Sequence, residues 1–150
     1  MSENSIRQFI SFTIGDEEYG VDIMAIREIK GWTVATELPN TPGYMRGVIN
    51  LRGAIVPILD LRARFNGGHT ETGPRHVIIV VAVGTRVAGI LVDAVADIIA
   101  VSADAIQPVP QLDTVVGSGF LTGLVNVEGR MVALLELDHV FDFDAGVAAD

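Results

Sequence analysis

The chain has no cysteine among its 150 residues, which removes disulfides, thiolate nucleophiles and cysteine-based zinc sites together. Lysine is almost absent too: Lys30 stands alone, the arginines are scattered, and the net charge is −9. A nucleic acid is held by concentrated positive charge, so it is not an expected partner. Long apolar runs are missing as well. The longest, Val77 to Val83, is far short of the ~20 residues that span a bilayer. The opening Met1-Ser2-Glu3-Asn4-Ser5 is neither basic nor apolar, so a cytoplasmic protein with no direct membrane insertion is expected.

Catalytic signatures are also lacking. There is no G-x-S-x-G elbow, and no glycine-rich phosphate loop precedes the single lysine. The histidines, His69, His76 and His139, lack the i, i+4 spacing that sets two imidazoles on one helical face. His69 reads as a loop residue and His139 as a cap or surface residue, while Asp142 and Asp144 read as solvated tail charge. The expectation is a non-enzyme with no metal and no cofactor.

What is present is apolar and alternating. Hydrophobic residues make up 49% of the chain and the mean hydropathy is +0.44, enough for a substantial core. Period-two stretches rich in Val, Ile and Phe recur at 9–14, 47–51, 54–61, 77–83, 87–92, 121–127 and 130–137. They indicate an all-β fold.

The chain also repeats itself. The block 47–61 aligns without gaps on 123–137, and 20–29 on 89–98. The offset grows from 69 (Gly20 to Gly89) to 76 (Gly47 to Gly123), so the second copy carries seven extra residues, which fall near 102–119. Two halves, about 9–66 and 76–143, follow, joined by the polar stretch 66–74, with 1–8 and 144–150 as flexible ends. Each half suits a small five-stranded SH3-like barrel, with short helices and with strand exchange between the halves left open. Hairpins are expected at 50–53 and 126–129, with glycine supplying positive φ. The residue before that glycine is Arg52 in one copy and Glu128 in the other, so the fold does not dictate it.

The run 12–23 with Ile26-Arg27-Glu28-Ile29, then Gly47-Val48-Ile49-Asn50-Leu51-Arg52-Gly53, Ile55-Val56-Pro57-Ile58-Leu59-Asp60-Leu61 and Gly89-Ile90-Leu91-Val92-Asp93-Ala94-Val95, resembles the CheW domain of chemotaxis coupling proteins, over roughly 9–141. The resemblance implies two SH3-like barrels side by side in one domain, about 9–143. It implies a non-enzymatic adaptor that couples the signalling tip of a transmembrane chemoreceptor to the regulatory domain of the histidine kinase CheA, at the inner face of the membrane, with other CheW-like domains as further partners in array rings. A relative in a pilus-motility or other chemosensory pathway would look the same; a small-ligand-binding β-barrel is the alternative from another class.

The family's receptor groove carries over onto Ile26, Glu28, Arg52, Val95 and Ile98, with Gly47 as a further interface residue. Glu28 is placed to pair with Arg52 across that groove. Ile26 and Val95 occupy matched repeat positions, as do Ile29 and Ile98, and core packing is the first reading of all four. Gly47 and Gly123 are matched as well, which points first to a backbone requirement. Trp32 reads as core filling, and Tyr44 as an aromatic anchor for an interface.

Overall fold

A computed structural model describes residues 5–65, 67–110 and 118–141. Asp142, Asp144, the expected end 144–150, residues 1–4 and the middle of the loop near 102–119 lie outside the described residues. The strands are β1 (Ile6–Ile14), β2 (Glu17–Asp22), β3 (Ile26–Gly31), β4 (Met45–Leu51), β5 (Ala54–Asp60), β6 (Val77–Val83), β7 (Arg86–Val92), β8 (Ala94–Ser102), β9 (Leu121–Val127) and β10 (Arg130–Leu135). One-turn helices α1 (Leu61–Arg64) and α2 (Leu137–Val140) follow β5 and β10. Strand β1 takes in residues 6–8, which had read as a loose end, because Ile6 pairs with Ser102 and Arg7 with Val101 on β8.

The strands form two five-stranded sheets, ordered β8-β1-β2-β10-β9 and β3-β6-β7-β5-β4. Replacing each strand by its repeat counterpart, β1 by β6 and so on to β5 by β10, turns one order into the other. Neither half of the chain owns a sheet: each sheet takes two strands from one half and three from the other. Four pairings join the halves: the antiparallel ladders β1 on β8 and β3 on β6, and two parallel pairings, β10 on β2 and β5 on β7. Parallel neighbours cannot be joined by a tight turn, so these two contacts have to be made between halves. The remaining pairings are antiparallel, and both sheets are therefore mixed. Among the described residues the ladders do not close either sheet into the barrel the sequence led us to expect.

Burial explains the continuous apolar run of β6. Ile78 and Val80 face a cluster inside their own sheet with Ile49, Val56, Ile58 and Leu91. Ile79, Val81 and Val83 face the opposite way, into a cluster shared by both sheets with Phe12, Val21, Leu59, Ile90 and Leu135. The first sheet has a separate cluster of Phe9, Ile99, Val125, Val132 and Leu134. A strand buried on both faces loses the alternation that would otherwise mark it.

The matched glycines Gly20 and Gly89 sit where the parallel pairs meet. A Cβ on Gly89 would lie 2.6 Å from Cδ1 of Ile58 and 2.8 Å from Cγ2 of Ile78, and one on Gly20 would lie 2.9 Å from Cδ2 of Leu134. Hydrogen at these positions lets the exchanged strands approach. Gly89→Ala is expected to lower stability by about 1–3 kcal/mol through overpacking, read by urea denaturation. Gly31→Ala, whose Cβ meets nothing within 4 Å, is the control and should stay within about 0.5 kcal/mol of the parent.

Candidate functional site

Five residues were singled out for one groove, and the fold distributes them over both sheets. Ile26 and Glu28 lie on β3, an edge strand of the second sheet. Arg52 is at the β4–β5 turn of the same sheet. Val95 and Ile98 lie on β8, an edge strand of the first sheet. The residues expected to line one groove therefore belong to different sheets.

Glu28 and Arg52 are brought together, although within one sheet rather than across a groove: the Arg52 guanidinium donates a hydrogen bond to Oε1 of Glu28. The Arg52 side chain is 74% exposed and that of Glu28 26%, so the pair orients the arginine while leaving most of it available. The hydrogen bond from Arg52 holds the Glu28 carboxyl below its ordinary value, with burial opposing it. The bond joins β3 to the turn between β5 and the opposite edge strand, β4. The segment that follows β3 meets β4 again where Thr36 and Val48 exchange backbone hydrogen bonds of 2.8 Å each. Gln107 and Leu124 do likewise, at 2.8 Å, in the first sheet.

The hairpin tips hold more than the sequence suggested. Leu51 pairs with Ala54 and Val127 with Arg130, leaving two-residue loops, Arg52-Gly53 and Glu128-Gly129. In both loops the first residue is also left-handed, with φ of 52° at Arg52 and at Glu128, beside 90° at Gly53 and 85° at Gly129. Positive φ at both central positions marks a type I′ turn, whose preferred first residue is Asn, Asp or Gly. Side-chain carbonyls brace the loops: Gly53 N–H donates to Asn50 at 2.9 Å and Gly129 N–H to Asn126 at 3.1 Å. A long charged side chain at such a position is kept against backbone preference.

The apolar pairs divide. Ile26 and Val95 are partly buried against the shared core, in line with a packing role. Ile29 and Ile98 are not core residues as their repeat match had suggested: they are 43% and 52% exposed. Both lie on edge strands, Ile29 opposite Ile79 and Ile98 opposite Ile10, so their exposure comes from the open edge beside them, and repetition preserves a rim feature as readily as a core one. Gly47 answers to backbone geometry, since φ is 137° and a Cβ there would lie 2.2 Å from the carbonyl oxygen of Thr36. Gly123 is closed off similarly, its Cβ falling 2.7 Å from Cγ2 of Ile106. Trp32 is half-buried against the second sheet's own cluster, under the guanidinium of Arg46. Tyr44 packs against the shared core under Arg64.

A buried polar cluster escaped the sequence reading. Asp60 is fully buried and accepts from the backbone N–H of Thr70 at 2.7 Å and from its hydroxyl at 2.8 Å. Arg62 donates to Oγ1 of Thr70 at 3.3 Å and to Asp93, which also accepts from the N–H of Gly15 at 2.7 Å. The repeat mismatch at 60 and 136 (Asp, Glu) and at 62 and 138 (Arg, Asp) was the available signal. Among the described residues no three His, Cys, Asp or Glu side chains are grouped to hold a metal ion, and no helix is long and apolar enough to cross a membrane.

The family profile described as CheW-like domain matches residues 8–145. The chemotaxis protein CheW of Rhizobium meliloti (strain 1021) is 50% identical over 146 residues, covering 97% of this chain and 94% of that protein. The CheW of Klebsiella aerogenes is 38% identical, covering 96% and 87%. The solved structure of the scaffolding protein TtCheW from Thermoanaerobacter tengcongensis superposes with a TM-score of 0.83 at 31% identity, covering 91% of this chain and 88% of that one.

The turn geometry carries its own test. Arg52→Asn and Glu128→Asn should each relieve backbone strain and raise the thermal midpoint by about 2–4 °C, measured by calorimetry. An unchanged or lower midpoint in both would contradict the type I′ assignment.

Proposed function

The chain belongs to the CheW-like family, and on that premise we propose that it is a non-enzymatic chemotaxis adaptor that couples transmembrane chemoreceptors to the histidine kinase CheA and lets the receptors control kinase activity. Proteins of this family perform no catalysis; they work by holding partners in a fixed relation, so that a receptor shift biases the kinase through a coupling free energy. The 50% match to a protein named for chemotaxis supports this pathway over a pilus-motility or other chemosensory one. The adaptor acts in the cytoplasm, at the inner face of the membrane, through receptor arrays. Its partners are the receptor's signalling tip, the regulatory domain of the kinase and other CheW-like domains in rings.

The receptor groove is formed by Ile26, Glu28 and Arg52 on one wall and Val95 and Ile98 on the other, with Gly47 shaping the strand behind. The observation that carries this reading is the pairing of Arg52 with Glu28 at a turn position where arginine is disfavoured. The outward exposure of Ile98 beside the half-buried Val95 supports an apolar second wall. Each sheet is further read as a five-stranded SH3-like barrel within one domain of about 9–143. Support comes from the bridges that the segments after β3 and β8 make at Thr36 and Gln107 to β4 and β9 and from the separate apolar cluster inside each sheet.

The direct test is kinase autophosphorylation on receptor-containing membranes with the protein titrated in. Saturable, receptor-dependent activation is expected, and Arg52→Ala should weaken receptor binding about tenfold, as loss of an anchoring arginine does. No activation by the wild-type protein, with receptor and kinase shown competent, would reject the coupling role. For the groove itself, Glu28→Arg and Arg52→Glu should each impair receptor binding and the double swap should restore part of it; absence of any rescue would separate the ion pair from recognition.

A further inference from the structure

The groove walls lie on different sheets, so something must set their spacing, and the polar cluster at the sheet junction is built to do so. Asp93 is the single residue between β7 of the second sheet and β8 of the first. Its N–H donates to the carbonyl of Thr13 on β1 at 3.0 Å. Its carboxylate takes the N–H of Gly15, in the β1–β2 turn of the first sheet, and the guanidinium of Arg62, on α1 directly after β5 of the second. Nε2 of His76 lies 3.5 Å from the other carboxylate oxygen, while Nδ1 of the same ring accepts from the N–H of Gly73 at 2.9 Å.

Arg62 is itself anchored through Thr70 to the fully buried Asp60, toward which Arg46 of β4 also points at 3.7 Å. A continuous polar chain thus runs from β4, through the α1 corner, to the turn before β8. Two residues further along stands Val95. The next arginine on α1, Arg64, reaches α2, which follows β10 of the first sheet, donating to the carbonyls of Val140 at 2.9 Å and His139 at 3.1 Å.

The internal repeat shows that the fold does not need this chain. The second copy builds the same strand and one-turn helix with Glu136 in place of Asp60 and Asp138 in place of Arg62, and Glu136 makes no side-chain cap bond to its helix. Burial acts to raise the Asp93 carboxyl, but the bonds from Arg62 and Gly15 outweigh it and hold the group below the ordinary value. The charge is therefore in place at neutral pH.

We propose that Arg62 and Asp93 are positioning residues of the receptor groove: they lock the start of β8 to the α1 corner of the other sheet and so fix the distance between the wall carrying Val95 and the wall carrying Glu28 and Arg52. The proposal rests on the groove reading given above. A receptor helix then meets two walls already at the right spacing, and the free energy that would go into bringing them together appears as affinity.

Because the chain has no cysteine, two spin labels can be placed cleanly, at Arg27→Cys on β3 and Ala100→Cys on β8, both exposed. The inter-label distance distribution, measured by pulsed electron resonance, should be narrow in the parent and broad in Asp93→Asn. Receptor affinity should fall about tenfold, while affinity for the kinase regulatory domain stays within about twofold. Should Asp93→Asn fold poorly, Arg62→Lys reads the same effect, since it keeps the charge but loses the fork that spans Asp93 and Thr70. An unchanged distance distribution together with unchanged receptor affinity in a folded variant would overturn the proposal. A parent protein that binds no receptor, while Asp93→Asn still broadens the distribution, would overturn the groove reading and uphold the lock between the sheets.

Discussion

The parallel contact of β5 with β7, mirrored by β10 on β2, is the constraint on which the rest of the structure depends. Both members of each pair run in the same direction, so no hairpin within one half can supply them. Each half of the chain has to lend strands to the other's sheet, and the shared core of Phe12, Val21, Leu59, Ile90 and Leu135 closes only when both have done so. An isolated half would keep its hairpins but expose the edges meant for its partner. Such edges invite pairing with other chains. The two glycines at the crossing are the means by which the backbones come close enough to exchange.

Duplication followed by exchange makes this chain its own comparison. Where both copies agree, as at Gly20 and Gly89, or at Asn50 and Asn126, a structural reason is visible: a Cβ that would collide, or a turn that needs a side-chain acceptor. Where they disagree inside an otherwise conserved setting, the fold has no vote. Arg52 against Glu128 is one such place, and both sit in a left-handed turn position where neither type is preferred. Asp60 and Arg62 against Glu136 and Asp138 is another. The first disagreement lies at the proposed groove and the second at the polar cluster between the two sheets.

Much of this was legible in the residues, for identifiable reasons. Alternation and the Asn-x-x-Gly turns located seven of the ten described strands and both of those hairpins, because those signals are local; β2, β3 and β8 were not among the stretches singled out. The Glu28–Arg52 pair was legible through the family pattern. The choice of strand partner was not, since period two says which face is buried but not which neighbour supplies the hydrogen bonds. The exposure of Ile29 and Ile98 was hidden for a related reason: a matched apolar pair is equally consistent with a repeated core and a repeated surface, and only the edge position of β3 and β8 decides it. The ends of the network from Asp60 to Asp93 are 33 positions apart in the sequence, and no short motif joins them. The left-handed backbone at Arg52 was hidden because the glycine beside it seemed to supply all the positive φ the turn required.

An adaptor that performs no chemistry can transmit a signal only to the extent that it does not absorb it. Compliance between the two sheets would let a receptor shift move one groove wall without moving the rest of the protein, and the coupling free energy would be spent on internal deformation. Apolar packing alone supplies cohesion without direction, since side chains in a core can slide by a rotamer at small cost. A charged, multiply bonded joint is directional: the Asp93 carboxylate has bonds to both sheets whose angles are set by a guanidinium fork and a backbone N–H. The aromatic stack from Phe12 through Tyr19 and Phe65 to Phe120, with ring centroids 5.3–5.8 Å apart, crosses the same junction and is capped by Arg64. Stiffness at this seam, rather than any reactive group, is the physical property through which a fold of this kind would do its work.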